Sequence, residues 1–262
     1  MLKTNKCMMK KICMITGATS GIGKSTAEVF ARNKYDLIIT GRRKTLLNEL
    51  ADFLLSEYGV KVLSLNFDVR DKKAVETALS EIAPEWEKID ILINNAGLAL
   101  DLLPINEGNT DNWDVMIDTN IKGLLYVSRI IIPLMIKNGN GHIINIGSIA
   151  GKEAYINGNV YCATKSAVDS LSKSMRIDLL TKGIKVTQII PGAVTTEFSF
   201  VRFKGDNEKA RNAYKGFKPL NPEDVAGAIY YSASLPDHVN INEIVIMPTA
   251  QANTVHFDKR EV

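Results

Sequence analysis

Short, nearly continuous apolar and β-branched runs alternate along this chain with longer stretches of helical spacing, and few hairpin signals interrupt the order. The runs fall at residues 11–16, 35–40, 60–67, 89–93, 142–146, 185–190 and 241–247. The helical stretches fall at 20–33, 42–58, 71–83, 113–138, 159–181 and 222–235. A run such as Tyr35-Asp36-Leu37-Ile38-Ile39-Thr40 lacks the polar alternation of a half-exposed strand and reads as one buried on both faces. The stretch after it carries Leu46, Leu47, Leu50, Leu54 and Leu55, a stripe along one helix face. Seven strands with about six intervening helices predict an α/β fold, a doubly wound parallel sheet covered by helices on both faces.

With 262 residues, 45% of them hydrophobic and 23% charged, the chain can fill one large α/β domain. No low-complexity linker or solenoid-period repeat divides it, so residues 1–262 are expected to form a single domain. The long irregular stretch is 192–218, too polar and glycine-containing for a strand. Loops of that length in compact domains are usually functional, and a substrate lid is expected there. Thirty-two basic and 29 acidic residues are spread along the chain for a net charge of +3, which argues against a nucleic-acid partner. No uninterrupted apolar run approaches the roughly 20 residues of a membrane span, so no membrane partner is expected. The segment holding Lys3, Lys6, Lys10 and Lys11 lacks the apolar stretch of a secretory signal. Cys7, Cys13 and Cys162 are few and show no metal-ligand spacing, which fits a reducing cytoplasm. His142, His238 and His256 lie far apart, and no metal site is expected.

Between the first strand and first helix runs Gly17-Ala18-Thr19-Ser20-Gly21-Ile22-Gly23. Glycines allow a tight turn and let a phosphate approach the backbone, while the helix start offers unpaired N–H groups and the positive dipole end. The spacing is G-x-x-x-G-x-G, and Gly17 is one residue too far from Gly23-Lys24-Ser25 for a P-loop. Taken alone, the turn serves a ligand-free strand–helix junction equally well. The second strand ends in Thr40-Gly41-Arg42-Arg43. In dinucleotide-binding folds this end faces the adenosine ribose, where an acid would take the 2′-hydroxyl; two arginines suit a 2′-phosphate instead. An arginine pair solvating a helix start is the bland alternative. The position favours NADP(H) over NAD.

Tyr161 and Lys165 lie four apart in a helical stretch and share a face. A free tyrosine has a pKa of about 10, and a nearby cation favours its phenolate, which makes Tyr161 a candidate acid/base. A four-residue Tyr–Lys spacing also arises often by chance. Ser148 follows the fifth strand at its C-terminal end, where ligand sites of α/β sheets gather. Asn120 falls inside a helical stretch where an amide is a poor helix former; it is either a satisfied polar group or a relay to Lys165. Phenol, ammonium and hydroxyl together suit carbonyl–alcohol proton transfer coupled to hydride movement from a nicotinamide.

In order and spacing, TGATSGIG, Asp68-Val69, Asn94-Asn95-Ala96-Gly97, Asn120, GSIAG with Ser148, YCATK and Pro191-Gly192 resemble the short-chain dehydrogenase/reductase family across essentially the whole chain. The resemblance implies a Rossmann-like sheet in strand order 3-2-1-4-5-6-7, NADP as cofactor and usually a homotetramer. It implies catalytic roles for Asn120, Ser148, Tyr161 and Lys165. Cofactor contacts are implied for the glycine-rich turn, Asp68, Val69, Asn95, Ala96, Gly97, Pro191 and Gly192, with Val194 and Thr196 beyond them. Tyr161 and Lys165 would also touch the cofactor, Lys165 at the nicotinamide ribose. NNAGLAL, GHIINIGSIAG, GNVYCATK, TEFSFVRFKGD and HVNINEIVIMPTAQA look like the NADP-dependent 3-hydroxy acid (serine and allo-threonine) dehydrogenase subgroup. That likeness implies a small hydroxy acid as substrate, held by Ser148 and Tyr161. Asp101 stands where the subgroup leads one to expect glycine. In the expected lid, Arg202 is a candidate partner for the substrate carboxylate, with a solvated loop cation as the alternative.

Overall fold

In the computed structural model, residues 10–212 and 214–260 are described; the expectations placed on Lys3, Lys6 and Cys7 lie outside them. Seven parallel strands, β1 (Ile12–Ile15), β2 (Asp36–Gly41), β3 (Val62–Asn66), β4 (Ile89–Asn94), β5 (Gly141–Ile146), β6 (Ile184–Pro191) and β7 (Glu243–Ile246), form one sheet in the order β3-β2-β1-β4-β5-β6-β7. The helices are α1 (Gly21–Arg32), α2 (Lys44–Tyr58), α3 (Lys72–Ser80), α4 (Thr110–Ile117), α5 (Leu124–Asn138), α6 (Asn159–Leu179), α7 (Glu197–Arg202), α8 (Asn207–Asn212) and α9 (Pro222–Ala233).

The two-sided burial expected from continuous apolar runs is realised residue by residue. Along β1, Cys13 and Ile15 join a core with Phe30 of α1, Leu47 and Leu54 of α2 and Ile229 of α9. Met14, between them, points the other way, into a core with Val75 of α3, Ile131 of α5 and Val168 of α6. Period-two alternation thus exists in the strand, but both destinations are apolar, so the sequence shows no polar face.

Strand order reverses at β1, which has β2 on one side and β4 on the other. A crevice opens at such a switch point beyond the C-terminal strand ends. The turn after β1, Gly41 at the end of β2, the loop after β4, Ser148 after β5 and Gly192 after β6 all line it.

Two stretches differ from expectation. The helix expected from 113 starts at Thr110, because Asn109 caps it by accepting from the Asn112 amide at 3.2 Å. It continues through a π-helical turn at Asp118–Gly123 into α5. By length and composition alone Thr110–Asn138 would suit a membrane span, although Asp118, Lys122 and Arg129 break up its apolar runs. In the structure its Val127, Ile131 and Met135 lie in the core against the sheet. Residues 192–218 are not irregular throughout: they hold α7 and α8, six residues each. Thr196 caps α7, accepting from the Phe198 amide at 3.1 Å. Helices shorter than two turns leave no periodicity to read.

Candidate active site

The glycine-rich turn is shaped by close approach. Gly17 and Gly21 have φ of 66° and 52°, in the left-handed region. A Cβ on Gly23 would sit 2.4 Å from the Gly17 carbonyl oxygen. Asn95 braces the turn from the end of β4, its amide donating to the Thr16 and Gly17 carbonyls at 2.9 and 3.1 Å. Thr16 Oγ1 accepts from the Asn95 and Ala96 amides, each at 3.0 Å. The Ser20 side chain makes no capping bond at the start of α1, which leaves first-turn N–H groups free for an anion. Thr19, Ser20, Gly21 and Ile22 line the cavity, whereas Gly23 lies behind its wall.

At the end of β2, Arg43 donates through Nε and Nη2 to Thr19 Oγ1 at 3.2 and 3.0 Å, and through Nη1 to Glu197 at 2.8 Å. Arg42 is largely exposed, its Nη1 3.7 Å from Asp68. The pair expected at a 2′-phosphate is therefore unequal: Arg43 is braced by Thr19 and Glu197, and Arg42 has only the longer contact to Asp68. Asp68 is gripped by Arg70 at 2.7 Å through Nη2. Burial opposes its ionisation, but the Arg70 hydrogen bonds outweigh it and hold the carboxyl below its ordinary range. Val69 lies against Gly123, where a Cβ would come within 2.7 Å of Val69 Cγ2.

At the other end of the same cavity, of about 590 Å³, stand Ser148, Tyr161, Lys165 and Arg202. Ser148 Oγ accepts from the Ala150 amide at 3.1 Å and lies beside the Tyr161 phenol. Lys165 Nζ donates to the Ile146 carbonyl at 2.9 Å. Burial lowers the Lys165 pKa to about 8, so the ammonium form still dominates at neutral pH. Burial is also the largest influence on Tyr161 and pushes its pKa up; the adjoining Tyr155 adds to this, while Ser148 and the Arg202 charge pull it back. The cation acting on the phenol here is thus Arg202, and burial prevails over it. Tyr161 stands as a protonated acid.

Asn120 sits in the π-helical turn and outside the cavity lining. Its Oδ1 accepts from the Leu98 amide at 2.9 Å, and its Nδ2 donates to the Leu98 carbonyl and Thr164 Oγ1 at 2.8 and 3.0 Å. Both amide hydrogens are spent on the loop after β4 and on α6, so the side chain braces the wall rather than bonding Lys165. Gly97 lies between the two: a Cβ there would be 3.3 Å from Asn120 Oδ1 and 3.5 Å from Lys165 Nζ.

Beyond Pro191, the last residue of β6, Gly192 packs so closely that a Cβ would be 2.5 Å from Gln251 Oε1. Val194 pairs with Leu220, and Thr196 lies against Gly21. Two further lining residues, Tyr155 and Gln251, carried no sequence signal of their own. Tyr155 accepts a 2.5 Å hydrogen bond from Arg202 Nη2, and the Arg202 Cζ lies 5.5 Å from both the Tyr155 and Tyr161 ring centres. Arg202 Nε is buried with no partner. Phe198 packs on Tyr161 with ring centres 5.6 Å apart. Gln251 Oε1 accepts from the Ala193 amide at 2.8 Å. Only the fold brings these together, although Phe198 and Gln251 fall within segments that resemble the subgroup.

Known proteins agree with this geometry. The family model described as short chain dehydrogenase matches residues 11–206. The NADP-dependent 3-hydroxy acid dehydrogenase YdfG of Salmonella typhi is 46% identical over 242 residues, 92% of this chain and 96% of that protein. Sulfoacetaldehyde reductase 2 of Chromohalobacter salexigens is 43% identical over 93% of this chain and 96% of its own length. Among solved structures, the closed form of serine dehydrogenase complexed with NADP+ superposes with a TM-score of 0.89 at 44% identity, covering 95% of this chain and 100% of that one. With its sheet order, glycine-rich turn and Ser148–Tyr161–Lys165 cluster in place, the chain belongs to the short-chain dehydrogenase family.

Proposed function

We propose that the protein is an NADP(H)-dependent oxidoreductase acting on the 3-hydroxyl or 3-oxo group of a small hydroxy acid, of the serine, allo-threonine or 3-hydroxypropionate type. The observation that carries this reading is Arg202, brought with a buried unpartnered Nε to the same end of the cavity as Ser148 and Tyr161. An enclosed carboxylate needs such a partner, and a guanidinium offers it paired donors. Ser148 Oγ and the Tyr161 hydroxyl hold the substrate oxygen. In reduction Tyr161 gives it a proton; in oxidation Tyr161 takes the proton back. The Lys165 ammonium offsets the phenolate that reduction leaves behind. When bound, the nicotinamide supplies or accepts the hydride. The glycine-rich turn receives the pyrophosphate, and Arg42 and Arg43 receive the 2′-phosphate. Asn120 and Asn95 hold the walls.

A sulfonate in place of the carboxylate is a second reading, favoured by the likeness to a sulfoacetaldehyde reductase and by the same guanidinium chemistry. Residues 192–218 serve as a lid on a single domain. A homotetramer, which the family resemblance implies, is the expected assembly, and light scattering would test it. A reducing cytoplasm remains the compartment that the sparse cysteines suggest.

The deciding experiment follows reduced-nicotinamide absorbance with small hydroxy acids, their sulfonate analogues and uncharged alcohols, each with NADP and NAD. Arg202→Leu should cost the acids most of their kcat/KM and change the alcohols little. An equal loss for both would withdraw the anion role.

A further inference from the structure

Residue 101 has the backbone of a glycine and the side chain of an acid. Its φ is 56°, left-handed, a conformation that aspartate tolerates better than most residues. Its amide donates to the Arg202 carbonyl at 3.2 Å. Its carboxylate accepts from Asn112 Nδ2 of α4 and meets Lys204 Nζ at 3.2 Å. Lys204, two residues beyond the end of α7, is left-handed as well, with φ of 51°. Asp101 therefore holds the last turn of α7 on both sides, by main chain at 202 and by side chain at 204, and moors it to α4. Arg202 is the residue whose placement this fixes.

We propose that Asp101 is a positioning residue for the anionic group of the substrate: its carboxylate latches Lys204 and thereby keeps Arg202 over the reacting end of the cavity. This rests on the reading that Arg202 receives that group. A glycine at 101 would supply the turn and the main-chain bond without the latch, so the carboxylate tunes how firmly the lid presents its guanidinium. The Lys204 side chain is 57% exposed and that of Asp101 22%, which makes the contact modest in strength and well suited to a segment that must open.

Asp101→Gly isolates the carboxylate, because glycine is at ease at this φ and keeps the amide bond to Arg202. With a small 3-hydroxy acid, KM should rise about three- to fivefold while kcat changes less; with an uncharged alcohol of similar size, KM should stay within about 1.5-fold. Lys204→Met should reproduce this, and the double variant should be no worse than either single one. Chymotryptic cleavage within residues 197–217, measured without substrate, should quicken in Asp101→Gly. Unchanged cleavage, additive single variants, or an equal rise in KM for acid and alcohol would each overturn the latch. Arg202→Leu in the same panel separates the two ideas. If it leaves the acid-to-alcohol ratio untouched, the anion reading falls and takes the proposed role of Asp101 with it. If it collapses that ratio while Asp101→Gly does not move it, the anion reading stands and the latch alone falls.

Discussion

At Tyr161 burial and charge pull in opposite directions, and burial prevails: the phenol keeps its proton and waits as an acid beside Ser148. Tyr161→Phe should accordingly reduce turnover by about 10²–10⁴-fold while NADPH still binds, since the arginines and the glycine-rich turn are at the far end of the cavity. Stopped-flow turnover and fluorescence titration on the same sample check both halves. At that far end, replacing Arg42 and Arg43 together by neutral residues should weaken NADP at least about tenfold relative to NAD, the loss of charge-assisted bonds of about 1.5–3 kcal/mol each. Equal dissociation constants for the two cofactors in the unmodified protein would refute the assignment. Away from the site, His142 is buried between strands, its Nε2 2.7 Å from Thr187 Oγ1. Thr187 donates its hydroxyl proton to the Ile241 carbonyl at 2.6 Å, so Nε2 carries the imidazole hydrogen and Nδ1 is left without a partner. Burial, assisted by Lys185, lowers the His142 pKa from 6.5 to about 3. Because the folded form resists protonation, its contribution is complete above 6.5 and is lost as pH falls from there towards 3. Urea melts should show stability declining by up to about 1.4 kcal/mol per pH unit from this residue, and His142→Gln should flatten the slope by one proton.

Among the elements, those with a strong period were legible and those with a local geometry were not. β2 and α2 announce themselves through Leu37-Ile38-Ile39 and through the leucine stripe that buries Leu47, Leu50 and Leu54. The π-helical turn around Asn120 is invisible because one extra residue in a helix leaves no mark on an apolar pattern. Yet that turn points Asn120 at Leu98 and Thr164, so the residue was legible as special before its contacts were. α7 escaped notice because six residues are too few to show a stripe, although Thr196 at its cap is the kind of residue that starts helices. The glycine-rich turn supports a test at this scale. A methyl group on Gly23 meets main chain at 2.4 Å, which cannot rotate away, so Gly23→Ala should displace the start of α1. NADPH affinity should drop by more than tenfold, a loss above about 1.4 kcal/mol, while Gly227→Ala, where nothing lies within 4 Å, should leave it unchanged. Isothermal titration of the two variants side by side decides the matter.

Across the whole molecule, the cavity is walled by segments from every part of the chain: Gly17–Arg43, Asp68, Asn95, Ser148–Lys165, Arg202 and Gln251. The order of the motifs let the first four be placed in advance, since each begins just beyond the C-terminal end of a strand. Gln251 needed the fold, because it reaches the site through a segment that doubles back, with the Phe257 ring tilted against Phe217 at 4.9 Å between centres. A ligand spanning such a cavity ties distant parts together and should raise the melting temperature, by an amount corresponding to about 2.7 kcal/mol at one hundred times its dissociation constant. Scanning calorimetry with NADPH tests this, and a flat response would count against the cleft as the binding site. The division of labour within the cavity carries a consequence of its own. Ser148 follows β5, and Tyr161 and Lys165 ride on α6 against the sheet, while the Arg202 guanidinium rides on a helix of six residues at the rim. Selection can therefore rewrite position 202 on that rim helix, exchanging one guest for another, as long as Phe198 stays packed on Tyr161 beneath, and a protein engineer grafting new appetites onto this scaffold would begin at the same position.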